Sequence, residues 1–407
     1  MRNSLIAIAS IAVVLCGCSR TQSTLPIPIG NLQATQDRIG IPPASAPTQY
    51  TILHSFHGGD DGITPYGDLL RDSAGNLYGT TFLGGPGNCS ISGCGTVYKI
   101  SVSGKKTILY RFHGRDGYLP SGGLIRDAAG NLYGTTGAGG TSFDGNVFKL
   151  DPSGNETVLH AFNGTDGKHP FSTLVQDAAG NFYGTTHDGG SSDDGVVFKL
   201  DSSGNETVLH SFNGTDGKNP IAGLARDPAG NLYGTTFDGG STSCDGGCGV
   251  VFKIDSGGKE TTLHQFNGSD GEGPYAGVIL DAAGNLYGTT TVGGTQRYGD
   301  VYKLDPNGSE TILHTFVASD GEGPFSDVVL SETGDLYGTT VGGGRFGLGA
   351  VYKLEPSGKV TVLHSFFGKR DGISPYSALI RVKGGDLYGT TSAYGPGADG
   401  VVFTLAH

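Results

Sequence analysis

From residue 50 to residue 405 the chain runs in short stretches of alternating apolar and polar positions, cut every few residues by glycine, proline or Asp-Gly pairs. Residues 170–212 show one full period. Pro170 to Gln176 (PFSTLVQ) reads as a short strand, 177–180 as a turn, and Asn181 to Thr186 (NFYGTT) as a second strand. A loop rich in glycine and aspartate, 187–195, leads to a third strand, Val196 to Leu200 (VVFKL). After a turn at 201–204 comes a fourth, Glu206 to Phe212 (ETVLHSF). β-Branched and aromatic residues suit a pleated, partly buried surface, and the glycines and prolines leave no helical period intact. Aspartate and glycine suit the turns, one bonding local backbone and the other accepting positive φ.

This unit recurs. Leu-Tyr-Gly-Thr-Thr, with one substitution, begins at Leu77, Leu132, Phe182, Leu232, Leu286, Leu336 and Leu387. Leu-His-Ser-Phe and its variants begin at Leu53, Leu109, Leu159, Leu209, Leu263, Leu313 and Leu363. A period near 50 residues points to a propeller or solenoid. Four antiparallel strands repeated seven times predict an all-β, seven-bladed β-propeller. The ends favour a ring. The array opens on a lone fourth-type strand, Thr51 to Phe56, and closes on a third-type strand, Val401 to Leu405. The N-terminal strand, 50–56, should complete the last blade and cover its edge. An open solenoid needs capping repeats, and none is visible.

The first residues follow a different pattern. Arg2 precedes an apolar run from Leu5 to Leu15, broken only by Ser10. That run is the size of a signal-peptide core and too short to span a membrane permanently. The following Leu15-Cys16-Gly17-Cys18 resembles the bacterial lipobox, although Cys16 stands where Ala, Ser or Thr is commoner. The resemblance implies a signal peptide at 1–17, removed to leave a lipidated Cys18. Residues 18–49, rich in Ser, Thr and Pro, read as a tether, and 50–407 as a single domain. The expected location is a lipid-anchored bacterial cell envelope, with the membrane reached only through the anchor.

Glycine supplies 74 of 407 residues, Trp is absent, and 37 Phe and Tyr (19 plus 18) remain to build a core. The net charge of −12 makes nucleic acid a poor partner. The glycine-rich loops lack the phosphate-cradling spacings. Tyr-Gly-Thr-Thr reads as structure, its glycine allowing a neighbouring blade to approach and its aromatic packing between blades.

Asp61, Asp116, Asp166, Asp216, Asp270, Asp320 and Asp371 each precede a glycine in the loop after the fourth strand. In a propeller these loops open on one face. The seven carboxylates are candidate ligands for a cation such as calcium, and equally ordinary turn residues. A second series, Asp72, Asp127, Asp177, Asp227 and Asp281, gives way to Ser331 and Val382 and reads as a turn device. His54, His160, His210, His264, His314 and His364 share one repeat position, held by Tyr110 in the second unit. One per blade, they are expected to stay apart and to pack rather than bind metal. The two lengthened units each carry a cysteine pair, predicting the disulfides Cys89–Cys94 and Cys244–Cys248 of an oxidising compartment.

The Leu-His-x-Phe strand, the Asp-Gly-x-x-Pro loop, Gly-Asn-Leu-Tyr-Gly-Thr-Thr and Gly-x-Val-Phe-Lys-Leu together resemble the GloVer tandem repeat of bacterial exported proteins, over about residues 50–405. The resemblance implies export and a propeller-like fold, and it transfers no catalytic residue. The near-uniform units weigh toward a monomeric binding or scaffold module rather than an enzyme, with a protein or glycan ligand at the loop face and no cofactor beyond a calcium ion. The alternatives are an extracellular carbohydrate-active hydrolase or lyase, with Glu272 and Glu322 as first suspects, and a calcium-stabilised structural or adhesive protein. Specificity is expected in the irregular loops at 84–95, 239–249, 296–298 and 345–348 and near Lys369 and Arg370.

Overall fold

The computed structural model describes residues 48–407 apart from 88, 90 and 91, so the signal segment, Cys18 and nearly all of the tether lie outside the described residues. Seven four-stranded antiparallel sheets form the blades. Blade 1 consists of Leu70–Arg71, Leu77–Thr81, Thr96–Ile100 and Lys106–Arg111. Blades 2 to 6 repeat this order and end on Glu156–Ala161, Glu206–Ser211, Glu260–Gln265, Glu310–Thr315 and Val360–Ser365. Blade 7 takes Ile380–Arg381, Leu387–Thr391 and Val401–Ala406 from the end of the chain and Gln49–Ser55 from its start. Tyr50 pairs with Leu405, and Thr51 with Thr404. The expected ring closure is therefore present.

Burial follows the strand order. The second strand is buried throughout in blades 1, 2 and 6, and nearly so elsewhere. The third, apart from Ala406 at the end of blade 7, exposes part only of its fourth residue, usually a lysine, which reaches over the tyrosine paired with it, as Lys199 does over Tyr183. The fourth strand is half exposed, as an outer edge must be. The core lies between blades. Phe212, at the end of blade 3, meets Phe252 of blade 4 edge to face at 5.1 Å, alongside Leu224, Leu232 and Val250.

Three details differ from, or refine, the sequence reading. The first strand keeps only its last two residues in the ladder, because proline lacks an N–H and the next carbonyls are engaged elsewhere. Thr135 and Thr185, for instance, donate to the Ser172 and Ala222 carbonyls of the following blade. The glycine of Tyr-Gly-Thr-Thr faces an aromatic ring of its own blade rather than the next blade. A Cβ on Gly184 would stand 2.7 Å from Cζ of its cross-strand partner Phe198. Finally, a one-residue bulge falls at the leucine of every fourth strand. Val197 pairs with His210 and Phe198 with Val208, leaving Leu209 unpaired. Bulges re-aim side chains. Here the bulge lets Leu209 pack on the core while the histidine reaches Asp216 of the following loop.

Candidate functional site

The structure places each of the seven loop aspartates beside the histidine, or Tyr110, of its own unit. The side-chain distances run from 2.7 Å for Tyr110–Asp116 to 3.4 Å for His264–Asp270. Each of these carboxylates also holds its own turn, as Asp166 does by accepting from the Asn163 N–H at 2.9 Å. The histidines stay apart from one another, as expected, but not from other metal-ligating groups. The first residue of the next blade's fourth strand completes each seam. It is Glu206 beside His160 and Asp166, Glu260 beside His210 and Asp216, and Glu310 beside His264 and Asp270. In each set the three ligand atoms lie within 4.8 Å of one another. Burial, then the charge of the neighbouring aspartate, pushes Glu206 up to about 7 and Glu310 up to about 8.

The same slot holds Glu156 beside Tyr110 and Asp116, where the tyrosine takes the histidine's place, and other residues in the remaining seams. Lys106 fills it beside Asp61, donating to Oδ1 at 2.7 Å and to the Asp61 carbonyl. Burial alone would raise Asp61, but the Lys106 hydrogen bond and charge outweigh it and hold the carboxyl below its usual value. Tyr50 fills the slot beside His364 and Asp371, and Val360 does so beside His314 and Asp320.

A second set of groups lines the axis, where residues from non-adjacent blades meet. Asp68 of blade 1 accepts from the Ala378 N–H at 2.7 Å and from the Thr173 hydroxyl at 3.3 Å. Asp327 accepts from the Gly277 N–H at 2.7 Å. Burial, then the charge of Asp68, pushes Asp327 up to about 7, and burial raises Asp68 as well. Two residues before these positions an aromatic wall narrows the loop-side mouth. Tyr66 and Tyr275 join hydroxyls across the ring at 2.7 Å, Tyr376 stacks on Tyr66 at 4.9 Å, and Phe325 meets Tyr275 at 5.0 Å.

The third set breaks the symmetry. In blade 3 the loop before the first strand bridges the loop after the second, pairing Lys168 with Asp188. This brings His169 and His187 onto one carboxylate. His169 Nδ1 lies 2.7 Å from Asp188 Oδ2, and His187 Nδ1 lies 2.9 Å from the same oxygen. The buried Asn219 donates to the other oxygen at 3.3 Å and to the His187 carbonyl at 3.0 Å. Burial would raise Asp188, but hydrogen bonds to both histidines outweigh it and hold the carboxyl well below the usual range. Phe171, next to the axis, stacks with His169 at 6.1 Å. Asp238 lies beyond, raised by burial and by the charges of Glu272 and Asp245. Glu322 is exposed on the adjoining loop.

Sequence reasoning missed His169, His187, Asp68 and Asp327. Each is a charged or titratable residue in a slot that most other units fill with small, apolar or aromatic residues. The predicted disulfides are both formed, Cys89–Cys94 and Cys244–Cys248.

No curated protein matches the sequence. Among solved structures, the chain is similar to the extracellular domain of a B. thetaiotaomicron protein assigned to the hybrid two-component systems. The TM-score is 0.56 at 10% identity, covering 87% of this chain and 39% of that one. It is also similar to a gluconolactonase of Xanthomonas campestris, with a TM-score of 0.42 at 12% identity over 69% of this chain and 82% of that one. A luciferin-regenerating enzyme gives 0.42 at 16% identity, covering 70% and 90%. These likenesses are of fold. One expectation is corrected all the same: near-uniform blades are no ground for leaning against catalysis. The His169–Asp188–His187 group shows that the uniformity is itself incomplete. The repeat motifs, the seven blades and a family model matching residues 42–247 and 241–407 agree: the chain belongs to the bacterial Gloeobacter/Verrucomicrobia repeat family.

Proposed function

We propose that this protein is an exported carbohydrate-active enzyme, a hydrolase or lyase, working on its loop face by acid–base chemistry. The observation that carries the reading is the convergence of His169 and His187 on Asp188. A carboxylate that accepts from Nδ1 fixes each imidazole's tautomer and leaves Nε2 as the basic nitrogen. Held ionised, Asp188 also stabilises whichever imidazole takes up the proton. In a hydrolase that proton comes from attacking water. In a lyase it comes from the carbon beside a sugar carboxylate. The aromatic wall of Tyr66, Phe171, Tyr275, Phe325 and Tyr376 offers the apolar surface on which a sugar ring stacks.

Export rests on the reading of 1–17 as a signal peptide and Cys18 as the anchor, and both disulfides suit that compartment. The test is a panel of polysaccharides, uronides and sugar esters, scored for reducing ends and for unsaturated products. Turnover by the wild type that falls at least ~100-fold in Asp188→Asn and His187→Ala supports the proposal. Turnover untouched by both substitutions, or none on any member of the panel, sinks it.

A further inference from the structure

The seams between blades hold a contrast that the loop face does not explain. In the seam between blades 7 and 1, the partly buried carboxylate of Asp61 is neutralised by the buried Lys106 ammonium. In the equivalent slot of four consecutive seams, from blade 1 to blade 5, the chain places a glutamate instead, and in the last three of these a histidine stands beside it. Two carboxylates and an imidazole then face one another with no cationic side chain among them. Such a group is costly to bury unless something positive joins it.

The seam between blades 4 and 5 carries the contrast furthest. His264 Nε2 lies 3.4 Å from Asp270 and 3.6 Å from Glu310, and neither it nor Glu310 Oε1 has a hydrogen-bond partner. A third carboxylate, Asp300, is fully buried within electrostatic reach of both acids. Neither of its oxygens makes a well-formed hydrogen bond, the Thr315 hydroxyl being the polar group that approaches. Unpartnered buried acceptors of this kind ask for a cation.

We propose that His264, Asp270 and Glu310 form a divalent transition-metal site between blades 4 and 5, with counterparts at His210, Asp216 and Glu260 and at His160, Asp166 and Glu206. One imidazole with two carboxylates suits zinc or manganese, whereas calcium prefers oxygen ligands throughout. Two ligands come from one blade and one from the next, so the ion cross-links the blades. Lys106 does the same work in the first seam as a permanent internal cation.

The experiment uses chelator-treated full chain and Zn(II) as the probe, read by equilibrium dialysis and by thermal unfolding. The wild type should take up three ions at the seams and melt at a higher temperature with zinc than without. Glu310→Lys, which copies the first seam, should lose one ion, and the Glu206→Lys/Glu260→Lys/Glu310→Lys protein should lose all three while remaining folded by circular dichroism. A His169→Ala/His187→Ala variant, affecting the loop face alone, should keep the three. No uptake by the wild type, or an unchanged count in Glu310→Lys, overturns the proposal and leaves protons on the glutamates as the neutralising charge. Should the triple variant fail to fold, the single substitution still decides.

Discussion

Tyr50 stacks on His364 at 4.2 Å with its ring only 10° from parallel, although 314 positions separate the two in sequence (364 minus 50). Its hydroxyl donates to the Asp371 carbonyl at 2.7 Å, and its other side meets Phe403 at 5.2 Å. This one side chain joins blade 6 to the strand that closes the ring. Tyr50→Ala should cost about 3 kcal/mol by loss of buried aromatic contact. Tyr50→Phe, which loses only the hydrogen bond, should cost about 1 kcal/mol. Denaturant unfolding of the two variants distinguishes the contributions.

Asp327 on the axis sets a dependence on pH. Its folded pKa, pushed up to about 7 by burial and by Asp68, lies above that of an exposed aspartate. The folded state therefore holds the proton more tightly than the unfolded chain, and the stability linked to it is complete only below the unfolded pKa. It is lost as pH rises through the folded value. Melting temperature should fall between about pH 4 and about pH 7 through this group, and Asp327→Asn should flatten that fall. A variant whose melting temperature keeps the wild-type slope would show that the axial pair does not titrate this way.

Gly184 and Phe198 make a mutational cycle. Gly184→Ala drives a methyl group into the Phe198 ring and should cost about 1–3 kcal/mol. Phe198→Leu vacates part of that space. The double variant should be less destabilised than the two single costs added together, by at least ~0.5 kcal/mol. Simple additivity would place the strain of Gly184→Ala elsewhere.

Asp188→Asn should act on the loop face alone. Its site lies in paired loops outside the blade ladders, so melting temperature should stay within a few degrees of the wild type. Binding and turnover of the substrate should fall together with loss of the imidazole tautomers, by on the order of 10⁴ in rate if one histidine is the base. Rate profiles against pH, measured on the wild type and on His169→Ala, would show which imidazole carries the proton.

The blades and their closure were legible because a period of 50 residues repeats its punctuation, and because the spare first strand matches the missing last one. The pairing of Asp166 with His160 was within reach, since both sit in one unit. The third member, Glu206, was not, because its place depends on how one blade packs on the next. His169 and His187 lie 18 positions apart (187 minus 169), on either side of a strand, a turn and a second strand. The Lys168–Asp188 bridge, with the His187 N–H donating to the His169 carbonyl, brings their loops together. Glu272 and Glu322 drew notice by occupying the same slot in adjoining units. That regularity shows they share a place in the repeat, and Glu272 in fact lies near Asp238.

The pairing of Tyr50 with Leu405 also sets an order in time. Of the described strands, synthesis makes Gln49–Ser55 first and its partner Val401–Ala406 last. Until Val401–Ala406 arrives, the earliest of these strands has no ladder to join, and the growing arc ends in a bare edge. Closing so long a loop costs little more than closing a single blade, because the entropy rises only with the logarithm of length. Waiting for the partner is the larger constraint. The ring is completed in one late event that no earlier fragment can rehearse, and a chain cut short before Val401 is an open arc, not a smaller wheel.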